Sequence, residues 1–121
     1  MEKIILVVDD SSLVRDMHSF MLRSGGFKVD TAENGHVAFE KILQNQYDLL
    51  VTDINMPILD GFALCKDVRA NDATKDLPII LISTRAEAED KMKGFSAGAN
   101  LYIVKPVKAE ELIESVNTFL E

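Results

Sequence analysis

The fold is decided by YDLLVTDINMP, residues 47–57, an apolar run that stops at the carboxylate of Asp53 and then meets Pro57. Leu49 to Thr52 are apolar or β-branched, which is typical of a strand buried on both faces of a parallel sheet. Pro57 cannot continue the strand because it lacks a backbone N–H and restricts the residue before it. Asp53 is therefore predicted at the carboxyl end of a strand, the edge at which open α/β sheets bind ligands. Taken alone, Asp53 also fits the start of a turn.

Outward from this stretch, short apolar runs alternate with segments of helical periodicity along the chain. The predicted strands are residues 3–8, 27–31, 49–52, 77–82 and 101–104. Each crossover between strands contains a helix, and such crossovers are right-handed in nearly all known proteins. The pattern predicts an α/β fold with a doubly wound, five-stranded parallel sheet between helices. At this length we expect a single domain of residues 1–121.

Apolar residues recur at helical spacing in the segments between the strands, which predicts amphipathic helices. They are Leu13, Met17, Phe20 and Met21 in the first helix, Ala38, Phe39, Ile42 and Leu43 in the second, Phe62, Leu64, Cys65 and Val68 in the third, and Leu112, Ile113, Val116, Phe119 and Leu120 in the last. The fourth helix, residues 85–97, has only Met92 and Phe95 as large apolar residues, so we expect it to be the least firmly docked. The hydroxyl of Ser83 or Thr84 is available to cap its start.

Composition narrows the classes of function. The 121 residues include 13 Lys and Arg against 20 Asp and Glu, a net charge of −7, which argues against direct binding of nucleic acid. The single cysteine, Cys65, cannot form an internal disulfide and is interpreted as a core residue. The chain runs from Met1 directly into a strand-like segment, and no apolar run approaches the ~18 residues of a membrane span. We therefore expect a cytoplasmic protein that does not enter a membrane.

Residues that follow the predicted strands are expected to meet, because the carboxyl ends of parallel strands lie along one edge. They are Asp9, Asp10, Thr31, Asp53, Ser83 and Lys105. Simple structural roles are also open to them, as helix caps or as a solvated surface charge. Three crowded carboxylates repel, which raises the proton affinity of at least one unless a cation lies between them. Mg²⁺, or Mn²⁺ in its place, suits carboxylate oxygens completed by water and phosphate.

A carboxylate beside such an ion, faced by a lysine and a hydroxyl, is arranged to attack a phosphoryl group. The metal and Lys105 would neutralise charge on the phosphoryl oxygens while Ser83 donates a hydrogen bond. Asp53 would then be the in-line nucleophile and form an acyl phosphate. His18 and His36 are predicted on helical segments away from this edge, and we expect neither to be a ligand or a catalytic group.

Several short motifs occur together in the order of one known family. They are residues 7–11 (VVDDS), residues 53–57 (DINMP) with Asp60-Gly61, Ser83, and Gly98-Ala99 followed by Tyr102 and Lys105-Pro106. With them the whole chain resembles the receiver domain of two-component response regulators, and in particular the single-domain type known from chemotaxis. The resemblance implies a flavodoxin-like strand order, 2-1-3-4-5. It also implies a phosphorylation-dependent signalling protein of a phosphorelay, which is not an enzyme in the ordinary sense.

The resemblance further implies the roles of individual residues. Asp53 is the phosphoacceptor; Asp10 and Asp53 bind Mg²⁺ directly, Asp9 binds it through water, and the backbone carbonyl of Asn55 is a further ligand. Lys105 contacts the phosphoryl group, Asn55 and Arg85 influence how fast phosphate is lost, and the peptide bond between Lys105 and Pro106 is cis.

Ser83 and Tyr102 form the switch pair by the same resemblance. Phosphorylation draws Ser83 toward the phosphoryl oxygens, and the Tyr102 ring turns into the space that opens. The face formed by the fourth helix, fifth strand and fifth helix then changes and controls an effector protein. The phosphoryl donor is a sensor histidine kinase or a histidine phosphotransfer protein.

Other classes of protein fit the residues less well. A flavodoxin-type cofactor protein needs a phosphate-binding loop free of acids after the first strand, where this chain has Asp9-Asp10. A metal-dependent hydrolase with an Asp nucleophile would carry Asp-x-Asp, which residues 9–11 do not match. A receiver-like module that acts without phosphorylation keeps the fold but usually loses an acid or the lysine, and here all of these groups are present.

Overall fold

Strands and helices alternate along residues 2–120, which are the residues that the computed structural model describes. The strands are β1 (Ile4–Val8), β2 (Lys28–Ala32), β3 (Leu49–Asp53), β4 (Ile79–Ser83) and β5 (Leu101–Val104), and the helices are α1 (Ser12–Ser24), α2 (Gly35–Gln44), α3 (Gly61–Ala70), α4 (Ala88–Ala97) and α5 (Ala109–Leu120). Met1 and Glu121, the ends of the predicted domain, lie outside the described residues. Within residues 2–120, no helix combines the length and the apolar character needed to cross a membrane.

The strands form one parallel sheet in the order β2-β1-β3-β4-β5, which confirms the predicted topology. Every residue of β3 and β4 is buried, as expected for central strands of a parallel sheet. Successive side chains point to opposite faces, so Leu50 belongs to the core beneath α2 and α3, while Val51 belongs to the core beneath α1 and α5. Asp53 pairs with Ile82 of β4, and the sheet therefore holds the acid at its carboxyl edge.

Of the four apolar residues that define the periodicity of α1, Met21 packs against the core and the other three are exposed. Leu13, Met17 and Phe20 are 69%, 48% and 74% exposed. The buried residues are instead His18, Ser19 and Leu22. Ser19 tolerates burial because its hydroxyl donates a hydrogen bond to the Arg15 carbonyl one turn earlier, at 2.7 Å. The periodicity predicted the wrong buried face because it counts only apolar residues. It misses polar residues whose hydrogen bonds are satisfied within the helix.

The other helices follow their patterns more closely. In α3 all of the predicted residues, Phe62, Leu64, Cys65 and Val68, are buried. In α5 the buried residues are Leu112 and Val116, with Phe119 and Leu120 packed at the edge of the same cluster. Leu43 of α2 is an exception, since it is exposed near the end of its helix.

Helix α4 is attached to the sheet mainly through its C-terminal half. It begins at Ala88, later than predicted, and neither Ser83 nor Thr84 caps it; its N-cap residue, Glu87, makes no side-chain cap. The buried residues of α4 are small, Gly94 and Ala97, whereas Met92 and Phe95 are exposed. This burial agrees with the expectation of a weakly docked helix.

The C-terminal end of α4 is held by a side chain from α3. Gly98 ends the helix with a left-handed φ of 114°, which glycine adopts without strain. Its carbonyl accepts a hydrogen bond from Arg69 Nε at 3.0 Å, and the same guanidinium donates to the Asn100 side chain at 2.9 Å. The first turn of α4 has no comparable anchor to α3 among the described contacts.

The loop from β3 to α3 contains a strained residue, Ile58, five positions after Asp53. Ile58 has a φ of 72° and is 78% exposed, and Leu59 N–H donates to the Pro57 carbonyl across it at 2.8 Å. This is a γ-turn centred on Ile58, and a β-branched residue with positive φ is a genuine outlier. Gly61 N–H donates to the Ile54 carbonyl at 2.9 Å and closes the loop against the end of β3.

Replacing Ile58 by glycine should stabilise the protein. Both Ile58→Gly and Ile58→Ala remove the exposed side chain, but only glycine removes the Cβ that makes the positive φ costly. We expect Ile58→Gly to exceed Ile58→Ala by about 1 kcal/mol in free energy of unfolding, measured by urea denaturation. Equal stability of the two variants would show that this backbone conformation carries no strain.

Candidate functional site

Three carboxylates meet at the carboxyl edge of the sheet. Asp53 is the last residue of β3, Asp9 directly follows the neighbouring strand β1, and Asp10 comes next in the chain. Each offers an oxygen, and the three oxygens lie within 4.8 Å of one another. Asp9 and Asp53 are only 2% and 8% exposed, whereas Asp10 is open to solvent.

Backbone groups orient the two buried acids. Ser11 N–H donates to Asp9 Oδ1 at 3.0 Å, and Ile54 N–H donates to Asp53 Oδ1 at 2.8 Å. Ser11 is also the N-cap of α1, so the bond to Asp9 ties the acid to the start of that helix. The acids are therefore fixed by the residues that end their own strands.

Lys105 brings a positive charge to the acids from the edge strand. It follows β5, and its N–H donates to the Ser83 carbonyl at 2.8 Å, which extends the sheet by one bond. Its Nζ lies 3.0 Å from Asp9 Oδ2 and 3.6 Å from Asp53 Oδ1. The peptide bond between Lys105 and Pro106 is cis in the structure.

The charges at this edge are not balanced by Lys105 alone. Burial raises the pKa of the Asp53 carboxyl, and repulsion from Asp9 and Asp10 raises it further, while Lys105 opposes both. A divalent cation among the three carboxylates would relieve the repulsion. Their oxygens are hard ligands of the kind that Mg²⁺ or Mn²⁺ prefers, so the residues present fit such an ion.

The residues that follow β4 connect the site to β5. Ser83 ends β4 and is completely buried, and its Oγ accepts a hydrogen bond from Arg85 N–H at 3.1 Å. The carbonyl of the same Arg85 accepts a hydrogen bond from the Tyr102 hydroxyl at 2.7 Å. Tyr102 is buried in this structure, with its ring already turned inward. The Arg85 backbone therefore lies between the two residues of the predicted switch pair.

The Arg85 side chain reaches over the edge of the site. Its guanidinium donates a hydrogen bond to Asn55 Oδ1, two residues past Asp53. It also lies 3.5 Å from Asp90 Oδ1 of α4 and 5.8 Å from the centre of the Phe62 ring. The predictions from sequence included Arg85 and Asn55, but not Asp90 or Phe62. Neither of these carried a signal beyond its helical position.

His18 lies near the site, which corrects the prediction that it would be far from this edge. It is buried on α1 and lines a hollow of about 290 Å³ with Lys105, Pro106 and Val107. Burial lowers the pKa of its imidazole, and Lys105 lowers it further. The error follows from the misassigned face of α1, because the helix turns His18 inward where Leu13, Met17 and Phe20 face out. His36, in contrast, is exposed on α2.

Thr31 also differs from its predicted place. It lies within β2, which extends to Ala32, and its carbonyl accepts a hydrogen bond from Lys41 Nζ at 2.7 Å. It makes no described contact with the three acids. Asp9 N–H instead donates to the Ala32 carbonyl at 3.3 Å, so β2 supports the site through its backbone.

A parallel sheet in this order, with clustered acids, a hydroxyl and a lysine at its carboxyl edge, defines the class of phosphoryl-accepting signalling domains. The family model of the response regulator receiver domain matches residues 5–117. The chain belongs to this family, the receiver domains of two-component response regulators.

Relatives of known sequence include proteins about twice as long as this chain and a protein of similar length. The chain is 38% identical to the transcriptional regulatory protein ResD of Bacillus subtilis over 96% of its own length and 47% of that protein. It is 37% identical to the chemotaxis protein CheY-3 of Vibrio cholerae, over 97% of its own length and 91% of that protein. The chain spans about half or less of the length of the first curated relatives it matches.

Solved structures agree with the assignment. A putative response regulator from Chloroflexus aurantiacus has a TM-score of 0.95 and 38% identity, covering 99% of this chain and 98% of that one. The receiver domain of the sensor histidine kinase PA1611 from Pseudomonas aeruginosa has a TM-score of 0.92 and 29% identity, covering 99% of this chain and 98% of that one. That structure contains a magnesium ion coordinated in its active site cleft.

Neutralising Asp53 should stabilise the metal-free protein at neutral pH. Because the folded state raises the pKa of this carboxyl, its protonated form favours folding below the ordinary value of 3.8, and that contribution is lost as the pH rises through the raised pKa. We expect Asp53→Asn to increase the free energy of unfolding at pH 7 by on the order of 1 kcal/mol, and the difference to vanish below pH 3.8.

The measurement is urea denaturation across this pH range with a chelator present. Asp72→Asn is a suitable control, since it removes an exposed carboxylate from the turn after α3 and should change little. An Asp53→Asn protein that is less stable than the wild type at pH 7 would contradict the proposed electrostatic strain.

Proposed function

We propose that residues 1–121 form one receiver domain in which Asp53 accepts a phosphoryl group from a phosphohistidine. The observation that carries this proposal is the cluster of three carboxylates within 4.8 Å, with Lys105 Nζ 3.0 Å from Asp9 and 3.6 Å from Asp53. A structural ion pair would need one acid and one base. Two further acids without matching bases point to a site that binds a cation and a phosphoryl group.

The transfer forms one bond and breaks one. An Asp53 carboxylate oxygen attacks phosphorus, the P–N bond to the donor imidazole breaks, and the leaving nitrogen keeps the electron pair of that bond. Lys105 holds a positive charge beside the oxygens on which negative charge builds up. The Ser83 hydroxyl accepts from Arg85 N–H and carries one hydrogen of its own, which would donate to a phosphoryl oxygen.

The metal site of the proposal uses the residues at the same edge. Asp10 and Asp53 would bind Mg²⁺ or Mn²⁺ directly, Asp9 through water, and the backbone carbonyl of Asn55 would be a further ligand. When bound, the ion supplies charge neutralisation for the acids and for the phosphoryl oxygens. Burial, and then repulsion from Asp9 and Asp10, raises the pKa of Asp53, and a bound ion would offset that repulsion.

The signal would pass through the residues after β4. Ser83 and Tyr102 both bond to the Arg85 backbone, so a pull on Ser83 is transmitted to β5 and to the start of α4. The surface formed by α4, β5 and α5 would then change and control binding of an effector protein. Since Tyr102 is buried here, the change would involve the segment before α4 as well as the ring.

The partners of the proposal follow from the chemistry. The donor is a sensor histidine kinase or a histidine phosphotransfer protein, and the output is contact with a protein effector, without direct binding of nucleic acid or membrane. The proposed setting is a signalling pathway of the chemotaxis type, and the proposed location is the cytoplasm. The domain promotes its own phosphorylation and dephosphorylation, with Asn55 and Arg85 tuning the lifetime of the phosphoryl group.

Phosphorylation should require both Asp53 and a divalent cation. The purified protein is incubated with a small-molecule acyl phosphate, with Mg²⁺ or with a chelator, and its intact mass is recorded. We expect one phosphoryl adduct in the wild type with Mg²⁺, none with the chelator, and none in Asp53→Asn, which should remain folded.

Two results would change the proposal. Full labelling of Asp53→Asn would place the acceptor at another residue. A wild-type protein that takes no adduct under any condition would favour a receiver-like module that acts without phosphorylation.

Removing Lys105 should separate phosphorylation from the response of α4. Lys105 is the cation that touches both buried acids, so without it the phosphoryl group loses its link to β5. We expect Lys105→Ala to lose the phosphorylation-dependent change in hydrogen exchange of residues 88–97. Lys108→Ala is the control, because that exposed lysine should leave the change intact. A normal change in Lys105→Ala would disprove the proposed contact.

A further inference from the structure

Arg85 occupies a junction between the candidate site and α4. Its backbone bonds to Ser83 and Tyr102, and its guanidinium bonds to Asn55 beside the acids. A long, partly exposed arginine side chain has many conformations, and one hydrogen bond to a neutral amide holds it weakly. Something further must keep the guanidinium at the edge of the site.

Asp90 supplies that restraint. Its Oδ1 lies 3.5 Å from the Arg85 guanidinium, and within residues 2–120 it is the carboxylate that pairs with this arginine. Asp90 is in the first turn of α4, where the positive end of the helix dipole also favours its charge. Phe62 lies under the guanidinium from α3, with Lys93 of α4 over the same ring at 4.7 Å. The guanidinium is therefore held between α3 and α4.

We propose that Asp90 is a positioning residue that holds Arg85 on Asn55 and thereby slows loss of the phosphoryl group from Asp53. The inference rests on the proposed function, which it extends by naming how α4 regulates the site. Asp90 would touch neither the phosphoryl group nor the metal, and acts only through Arg85.

The chemistry of hydrolysis explains why the position of the Arg85 guanidinium matters. Hydrolysis requires water to attack phosphorus from the side opposite the Asp53 oxygen, so that the P–O bond to Asp53 breaks and inorganic phosphate leaves. Asp9 and Lys105 pack against Asp53, whereas Asn55 is the first exposed residue beyond it. In this proposal, a guanidinium fixed on the Asn55 amide would cover this side and compete with water for it. Releasing the guanidinium opens that route.

Coupling through Asp90 would let an effector either lengthen or shorten the lifetime of the phosphoryl group. If the position of the first turn of α4 sets the lifetime of the phosphoryl group, an effector that holds this turn in place must lengthen the lifetime. An effector that draws Asp90 away must shorten it. The site and the α4 surface are thus linked without contact between effector and phosphoryl group.

The test compares the decay of the phosphoryl adduct in four proteins: wild type, Asp90→Asn, Asp90→Glu and Glu89→Gln. Each is loaded with a small acyl phosphate and Mg²⁺, the donor is removed, and the adduct is followed by intact mass. We expect Asp90→Asn to lose the adduct about two- to fivefold faster, the size that a partly exposed ion pair supports. Asp90→Glu should restore a decay close to that of the wild type.

Glu89→Gln controls for the charge of the first turn, because Glu89 is the exposed neighbour in that turn and has no described bond to Arg85. It should decay like the wild type. The inference is overturned if Asp90→Asn decays at the wild-type rate, or if Glu89→Gln accelerates decay equally.

A second measurement does not depend on phosphorylation. In the unmodified proteins, the Arg85 Nη–H groups, which face Asp90 and Asn55, should exchange with solvent faster in Asp90→Asn than in the wild type or Glu89→Gln, as followed by nitrogen-15 NMR. Equal exchange in all three would overturn the positioning role. If the wild type takes no phosphoryl group, the proposed function fails, and this measurement alone decides whether Asp90 holds Arg85.

Discussion

The repulsion among Asp9, Asp10 and Asp53 is the constraint on which the site depends. The sheet brings these charges together because two neighbouring parallel strands end at the same edge. Lys105 offsets part of the repulsion, and burial prevents water from screening the rest. The remaining negative charge makes the edge receptive to a cation, and a cation makes it receptive to phosphate. The affinity of this edge for a cation and for phosphate thus arises from an excess of negative charge that the fold maintains.

Much of the fold could be predicted from the sequence because parallel strands have a simple signature. The runs of residues 4–8, 49–52 and 79–82 are apolar or β-branched on both faces, and each is followed by a polar residue. Once the strands are placed, the carboxyl-edge rule brings Asp9, Asp53 and Ser83 together. Lys105 follows from the same rule, since it comes directly after the edge strand.

The parts that could not be predicted depend on contacts between helices and on locally satisfied polar groups. His18 and Ser19 are buried in α1, while the apolar Leu13, Met17 and Phe20 face solvent. Helical periodicity shows which residues share one face of a helix. It does not show whether that face packs against the core or faces a partner. The contact between Arg85 and Asp90 was likewise hidden, because it depends on where α4 starts relative to β4.

Helix α4 packs on the sheet through its C-terminal half, while its first turn is held by the contact between Asp90 and Arg85. Gly94, Ala97 and the bond from Arg69 to Gly98 hold its C-terminal end, whereas its first turn has no side-chain cap. Asp90 lies ~10 Å along the helix from Ala97, so a rotation of about 10° around the C-terminal end displaces Asp90 by about 2 Å. A displacement of that size is enough to part Asp90 from Arg85. A small tilt of one helix is thereby converted into the making or breaking of a single contact beside Asp53.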